Sequence, residues 1–295
     1  MKNAILLIIA VILIPITVVI SFQKKTNFIM EENNNKYLIM YNDKEYELEE
    51  YVYHVVCAEM PALFENEALK AQILATRTYT LNKLKDNNEY IFTNIDQAFV
   101  TDEELKEKWG SDYNLYSSKI NKLIEETKNE IITYKNEPIK AFYFAMSNGY
   151  TEDANIVFGI EEEYLKPVES VYENASLPKF SVDEEMSIVE FAELLNLTLP
   201  ITIEKIKKDD SGRVTQVTIN NIVFNGTDIR KTLNLRSTDF SFQIADDKVN
   251  ITTKGYGHGV GMSQYGANEL AKKGYTYEEI INHYYKGTKI KKLIE

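Results

Sequence analysis

Tyr51-Val52-Tyr53-His54-Val55-Val56-Cys57-Ala58-Glu59-Met60-Pro61 reads as a helix that carries a carboxylate on its apolar side. Val52, Val55, Val56 and Glu59 fall at i, i+3, i+4 and i+7, one face of a 3.6-residue period. Pro61 pushes Met60 out of the helical region, so the helix is predicted to stop there with Glu59 in its last turn. A carboxylate so placed loses solvation and faces the negative end of the helix dipole. Both effects raise its pKa, as a general acid requires. The competing reading is an ion pair with Arg77, which would lower the pKa and make Glu59 structural. The residues alone leave both open.

Working outward, Asn66 is predicted to cap a second helix running to about Lys85, apolar most of the way round its axis and therefore buried. Arg77 lies inside it and must find a partner, either a protein carboxylate or a ligand. Thr101-Asp102-Glu103-Glu104 caps a helix reaching Trp109, and Ser117 to Asn129 reads as another. Ile131–Tyr134 and Ile139–Ala145 suggest a strand pair around Asn136-Glu137-Pro138. Further along, a helix is expected near Ser187–Asn196, and a hairpin across Asp209-Asp210-Ser211-Gly212. Short strands continue over Phe240–Ile244 and Val249–Thr253. Two helices, Ser263–Lys273 and Thr276–Lys286, close the chain. The fold class is α+β, with mixed helices and short antiparallel strands around a central substrate cleft.

Ahead of all this, Ala4 to Phe22 is a run of 19 uncharged, mostly aliphatic residues. That matches one transmembrane helix across a core of about 30 Å. A cleavable signal peptide is the rival, but the run is long and no Ala-x-Ala follows. The expected organisation is an anchor over 1–25, a polar linker over 26–44 and one domain over 45–295. The domain is placed outside the cytoplasm on a single-pass anchor in the cell membrane. A formal charge of −12 with no basic stripe excludes a general nucleic-acid binder. A lone cysteine, Cys57, excludes an internal disulfide.

Gly255-Tyr256-Gly257-His258-Gly259-Val260-Gly261-Met262-Ser263-Gln264-Tyr265-Gly266 places glycine at alternate positions before a helix. Such spacing lets backbone approach another chain segment or a ligand very closely. His258, Gln264 and Tyr265 suit hydrogen bonding to and stacking on sugars. The phosphate-loop and dinucleotide patterns are not met. Cys57 with His54 at i−3 could suggest a thiol nucleophile, but a cysteine inside a helix is better read as core. Three histidines without metal-ligand spacing predict no metal site and no cofactor.

Ala58-Glu59-Met60-Pro61, Glu67-Ala68-Leu69-Lys70-Ala71-Gln72, Ala75-Thr76-Arg77-Thr78-Tyr79 and, far downstream, Gly257 to Ala267 together resemble the stage II sporulation protein D family. The resemblance covers most of the chain from about residue 45. It implies a membrane-anchored lytic transglycosylase acting on peptidoglycan glycan strands during engulfment in spore formation. An amidase partner, stage II sporulation protein P, and a membrane partner, stage II sporulation protein M, are implied with it. The family's glutamate falls on Glu59. Arg77, Tyr79, Ser147, Asn148, Gly149, His258, Gly259, Gln264 and Tyr265 are the expected substrate contacts. The chain departs from many relatives at Met146-Ser147-Asn148-Gly149-Tyr150-Thr151. It also lacks the histidine and cysteines with which some members bind zinc. Two other readings are a wall-binding module that stimulates an amidase, which would not need Glu59, and a tethered scaffold.

Overall fold

The computed structural model describes residues 37–170 and 172–293. The expected membrane span at 4–22 lies outside the described residues, and no helix among those residues is long and apolar enough to cross a membrane. β1 (Leu38–Tyr41) pairs antiparallel with β2 (Lys44–Glu47), so strand structure begins inside the stretch read as linker. β3 (Ile91–Phe92) adds in parallel on the other side of β1.

α1 (Leu48–Glu59) follows at once and ends as the sequence requires, with Met60 extended at φ −120°, ψ 141° before Pro61. α2 (Asn66–Asp86) is the central post of the domain. Its residues from Ala68 to Leu81 are buried almost without interruption, because α1, β4 (Glu130–Tyr134) and the two C-terminal helices all pack on it. Its cap is Glu65 rather than Asn66, and the Glu65 N–H is met by Asn268 Oδ1 at 2.9 Å. α3 (Asp102–Trp109) starts in a complete capping box between Thr101 and Glu104. α4 (Tyr113–Glu126) begins four residues earlier than its apolar pattern suggested.

The strand pair after α4 is tighter than the sequence reading had it. Lys135 and Asn136 both take positive φ, the two-residue turn that matches strand twist. β4 therefore pairs with β5 (Glu137–Pro138), and β14 (Lys289–Lys292) covers the other edge of β4. β6 (Tyr143–Phe144) instead pairs in parallel with β13 (Met262–Ser263). α5 (Ala154–Phe158) is a short turn of helix beyond it.

Residues 181–254 form an insertion with its own core. β7 (Ser181–Ser187), β11 (Asp239–Ala245) and β12 (Lys248–Lys254) make one sheet, in the order β11-β12-β7. β8 (Ile203–Lys208), β9 (Val214–Ile219) and β10 (Ile222–Asn225) make another. α6 (Ile188–Leu194) and α7 (Gly226–Thr232) complete the lobe around Phe191, Val217, Ile229, Phe240 and Ile251. Its two ends meet where the Gly255 N–H donates to the Phe180 carbonyl at 2.8 Å, so the chain re-enters the first lobe close to where it left. α8 (Gln264–Lys272), capped by Ser263, and α9 (Tyr277–Tyr284), started by the Thr276/Glu279 box, then close against α2.

Candidate active site

Glu59 is the last residue of α1, half-buried, with its carboxylate reaching a loop and a helix start. Oε1 accepts the Ala98 N–H at 2.8 Å, and Oε2 accepts a long bond from Gln264 Nε2 at 3.4 Å. The loop that offers Ala98 is pinned on every side. Asp96 accepts from Tyr90 and from the Thr93 N–H, His54 Nδ1 donates to the Val100 carbonyl at 2.8 Å, and Phe99 stacks on Tyr41 at 4.1 Å. Gln264 is equally fixed, since it opens α8 behind the Ser263 cap and also donates to Gln72 Oε1 at 3.5 Å.

The other groups gathered here are neutral. Gln72 and Thr76 come from α2, Gln97 from the pinned loop and Tyr143 from β6, with Gln97 Nε2 donating to the Tyr143 oxygen at 2.8 Å. Burial pushes the Glu59 pKa up, and the two donors pull it back only in part. No charged partner enters that balance. The arrangement can therefore hold a protonated carboxyl, deliver its proton and take one back.

The structure brings Gln264 to Glu59 and places Tyr265 beside it, half-buried and edge-on to Phe64 at 5.0 Å. It does not bring Arg77 there, and that expectation is corrected. Arg77 is fully buried, clasps Glu49 through Nε at 2.9 Å and Nη2 at 2.7 Å, and gives Nη1 to the carbonyls of Thr127 and Glu130. Its partner is an acid in the first turn of α1, so it neither touches Glu59 nor has exposed surface to offer a sugar. Tyr79 is a core ring, 5.9 Å from Phe142. Ser147 is fully buried on Glu173. Asn148 spends its amide on the Ser211 carbonyl and Asp239, and Gly149 donates back to Ser147. These residues shape the frame, and the polar groups of Arg77, Ser147, Asn148 and Gly149 are used within the protein.

The glycine stretch is corrected in the same way. A side chain at Gly259 would meet Glu152 and Arg213 at under 3 Å, and one at Gly261 would run into the Phe142 carbonyl. Both glycines have φ near +80°, a conformation other residues rarely adopt. The close approach they permit is to protein. His258 Nδ1 accepts the Val260 N–H at 3.0 Å, and its ring sits among Phe142, Phe144 and Phe158. Burial, with Arg230 nearby, pushes its pKa down to about 4, so it is a neutral packing residue. Cys57 is inert: burial pushes its thiol up to about 12, and His54 is committed to Val100.

Sequence reasoning missed Tyr143, Gln97 and the Ala98 N–H, and it passed over Gln72 and Thr76 inside quoted motifs. Tyr143 is hidden in an apolar strand run. A buried glutamine pair on neighbouring elements was the signal available, since buried amides need partners.

Residues 39–134 match the family model described as Stage II sporulation protein, a segment that contains Glu59, Gln72, Thr76 and Gln97. The chain is 40% identical over 254 residues to the stage II sporulation protein D of Bacillus subtilis (strain 168), covering 82% of this chain and 74% of that one. To the stage II sporulation protein D of Bacillus amyloliquefaciens it is 41% identical over the same shares. A more distant relative, 26% identical across 79% of this chain and 39% of its own length, is the Bacillus subtilis protein named Amidase enhancer.

Proposed function

The chain belongs to the stage II sporulation protein D family, and on that premise we propose that it is a lytic transglycosylase that cuts peptidoglycan glycan strands with Glu59 as its single acid–base carboxylate. The observation that carries this reading is a half-buried carboxylate at a helix end, surrounded by neutral donors, with its pKa raised by burial. A salt-bridged carboxylate would stay ionised and could not act as the acid.

In the reaction, protonated Glu59 gives its proton to the glycosidic oxygen between N-acetylmuramic acid and N-acetylglucosamine, and the bond from that oxygen to the muramyl C1 breaks. The resulting carboxylate then takes the proton of the muramyl C6 hydroxyl as O6 bonds to C1. A 1,6-anhydro ring closes, Glu59 is again protonated and no water is consumed. One carboxylate serves both steps, unlike paired-carboxylate hydrolysis. We place the reaction at the septal wall during engulfment, outside the membrane, with the 4–22 span as anchor. Stage II sporulation proteins P and M are the proposed amidase and membrane partners.

A second reading has one observation in its favour, the relative named Amidase enhancer: the domain binds strands and stimulates an amidase. Digestion of purified strands, with and without stem peptides, by residues 26–295 separates the two. Release of 1,6-anhydromuramyl ends by the wild type and not by Glu59→Gln supports cleavage. Equal activity of the variant would sink the role of Glu59. Strand binding without any cleavage favours the amidase reading.

A further inference from the structure

The chain has four arginines, and they divide by partner. Arg77 and Arg213 are buried, and each meets a carboxylate, Glu49 at 2.7 Å and Glu152 at 3.3 Å. Arg230 and Arg236 are half-buried, and among the described residues neither forms an ion pair. With 45 acidic residues in the chain against 33 Lys and Arg, two guanidiniums without an acid are not a matter of supply. Arg236 gives Nη2 to the Lys179 carbonyl at 3.4 Å and lies over the Tyr256 ring at 4.2 Å. Arg230 makes no side-chain hydrogen bond among the described residues. The Nε of each is buried and unpartnered, whereas both Nη groups of Arg230 and the Nη1 of Arg236 are unpartnered and open to water.

Both sit where the insertion returns to the first lobe. α7 starts against β9, with Gly226 so close to the Val214 carbonyl that no side chain would fit. The chain turns back after Arg230, whose carbonyl accepts the Leu235 N–H at 2.8 Å. The Arg236 carbonyl then accepts the Gly257 N–H at 2.9 Å, which sets its guanidinium on the exposed ring of Tyr256. Arg213 lies against Gly259, two residues further on. Burial and the like charge of Arg213 work against the charge of Arg230, and no carboxylate opposes them. A cation held partly out of water without an anion costs the fold stability, which a bound anion would offset.

We propose that Arg230, Arg236 and Tyr256 form a subsite for a carboxylate of the strand being cut, an assignment that rests on the cleavage reading above. A guanidinium meets the two oxygens of a carboxylate with parallel N–H bonds, and the free Nη groups here are the ones that reach water. The strand offers carboxylates of two kinds: those of its stem peptides, and the lactyl carboxylate that N-acetylmuramic acid uncovers when an amidase removes the stem. Tyr256 pairs with Met146, through backbone bonds of 2.7 and 2.9 Å. Met146 follows Tyr143 by three residues, so the subsite's backbone is at most about 11 Å along the chain from the groups around Glu59. That keeps it within reach of a strand whose bond lies at Glu59.

Affinity measured on a chain that cannot cleave tests this. Full-length Glu59→Gln is compared with Glu59→Gln/Arg230→Met/Arg236→Met for three ligands: strands with stem peptides, stripped strands and uncharged N-acetylglucosamine oligomers. The arginine substitutions should weaken binding of the acidic strands by about tenfold or more and leave binding of the uncharged oligomers as it was. They remove no carboxylate's partner, so the thermal midpoint should stay close to that of Glu59→Gln. Lysine at both positions keeps the charge without the planar fork and should restore part of the affinity. Loss on stripped strands assigns the lactyl carboxylate, and loss confined to intact strands assigns the stem peptides. Equal loss on the uncharged oligomers, or no loss on either acidic strand, would overturn the proposal. A wild-type chain that binds through these arginines yet releases no 1,6-anhydro ends would overturn the cleavage reading and leave the subsite standing.

Discussion

Glu173 accepts four hydrogen bonds, from the Ser147 N–H at 2.8 Å and from the hydroxyls of Ser147, Ser170 and Ser263 at 2.6–2.7 Å, whereas Glu59 accepts one at 2.8 Å and one at 3.4 Å. Both carboxylates lose water, and burial is the largest force raising the pKa of each. At Glu173 the four donors fill the lone-pair sites and oppose that rise. Ser170 is itself backed by the Tyr284 hydroxyl at 2.6 Å. The result ties the 147 turn, the 170 turn and the cap of α8 together. Glu59 is left under-satisfied, able to carry a proton or lose it. The same side chain is structural where its acceptors are saturated and poised for chemistry where they are not.

The largest effect that could break this contrast is chemical. Glu59→Gln should lower release of 1,6-anhydro ends by about a thousandfold, the scale of lost acid–base catalysis, while strand binding persists. Mass spectrometry of the digest reads it directly. Glu173→Gln should act first on folding, because an amide presents hydrogens to donors that need acceptors. A loss of about 3 kcal/mol, seen as a thermal midpoint lower by about 6–12 °C, is expected. A variant as stable as wild type would show that the network ties nothing together.

Between these lies Gln264→Leu, which removes the weaker donor from Glu59 and leaves the Ser263 cap and Glu173 intact. Activity of the acid form falls as pH rises through the Glu59 pKa. Taking away a donor to the carboxylate raises that pKa, so the falling limb of the pH–rate profile should move to higher pH. The same variant loses part of the carboxyl's orientation, with kcat down by about tenfold. A limb that stays in place would mean that Gln264 does not act on Glu59 in solution.

The poised carboxylate was legible in sequence because two local rules placed it: apolar period put Glu59 on a buried face, and Pro61 ended the helix after it. The capping boxes at Thr101 and Thr276 were legible for the same local reason. The saturated carboxylate was not, since the four bonds of Glu173 come from residues between 3 and 90 positions away. Arg77 announced a need for a partner without naming Glu49. β7 escaped because Asp183, Glu184 and Glu185 are exposed, so no apolar alternation marks the strand. Tyr143 and Gln97 escaped because neutral polar residues in apolar surroundings carry no periodic signature. The glycines of 255–261 were visible, but sequence could not say whether the close approach was to sugar or to protein.

The smallest expected effect is thermodynamic, and Glu59→Gln should move stability in the opposite direction to Glu173→Gln. The folded-state pKa of Glu59 is raised, so the fold binds its proton more tightly than the unfolded chain does. Whatever stability this contributes is fully present below the unfolded carboxyl pKa and is lost as pH rises through the folded value. Above its folded-state pKa, ionised Glu59 is therefore a cost to the fold. Gln occupies nearly the same volume, presents no charge to be buried and keeps an oxygen for the Ala98 N–H. Glu59→Gln should accordingly raise the thermal midpoint by about 2–4 °C at alkaline pH, with the gain shrinking as pH falls into the carboxyl range. Scanning calorimetry of wild type and variant across pH tests it. A gain that persisted undiminished at low pH would point to packing rather than charge, and would remove the ground for calling Glu59 the strained carboxylate of the pair.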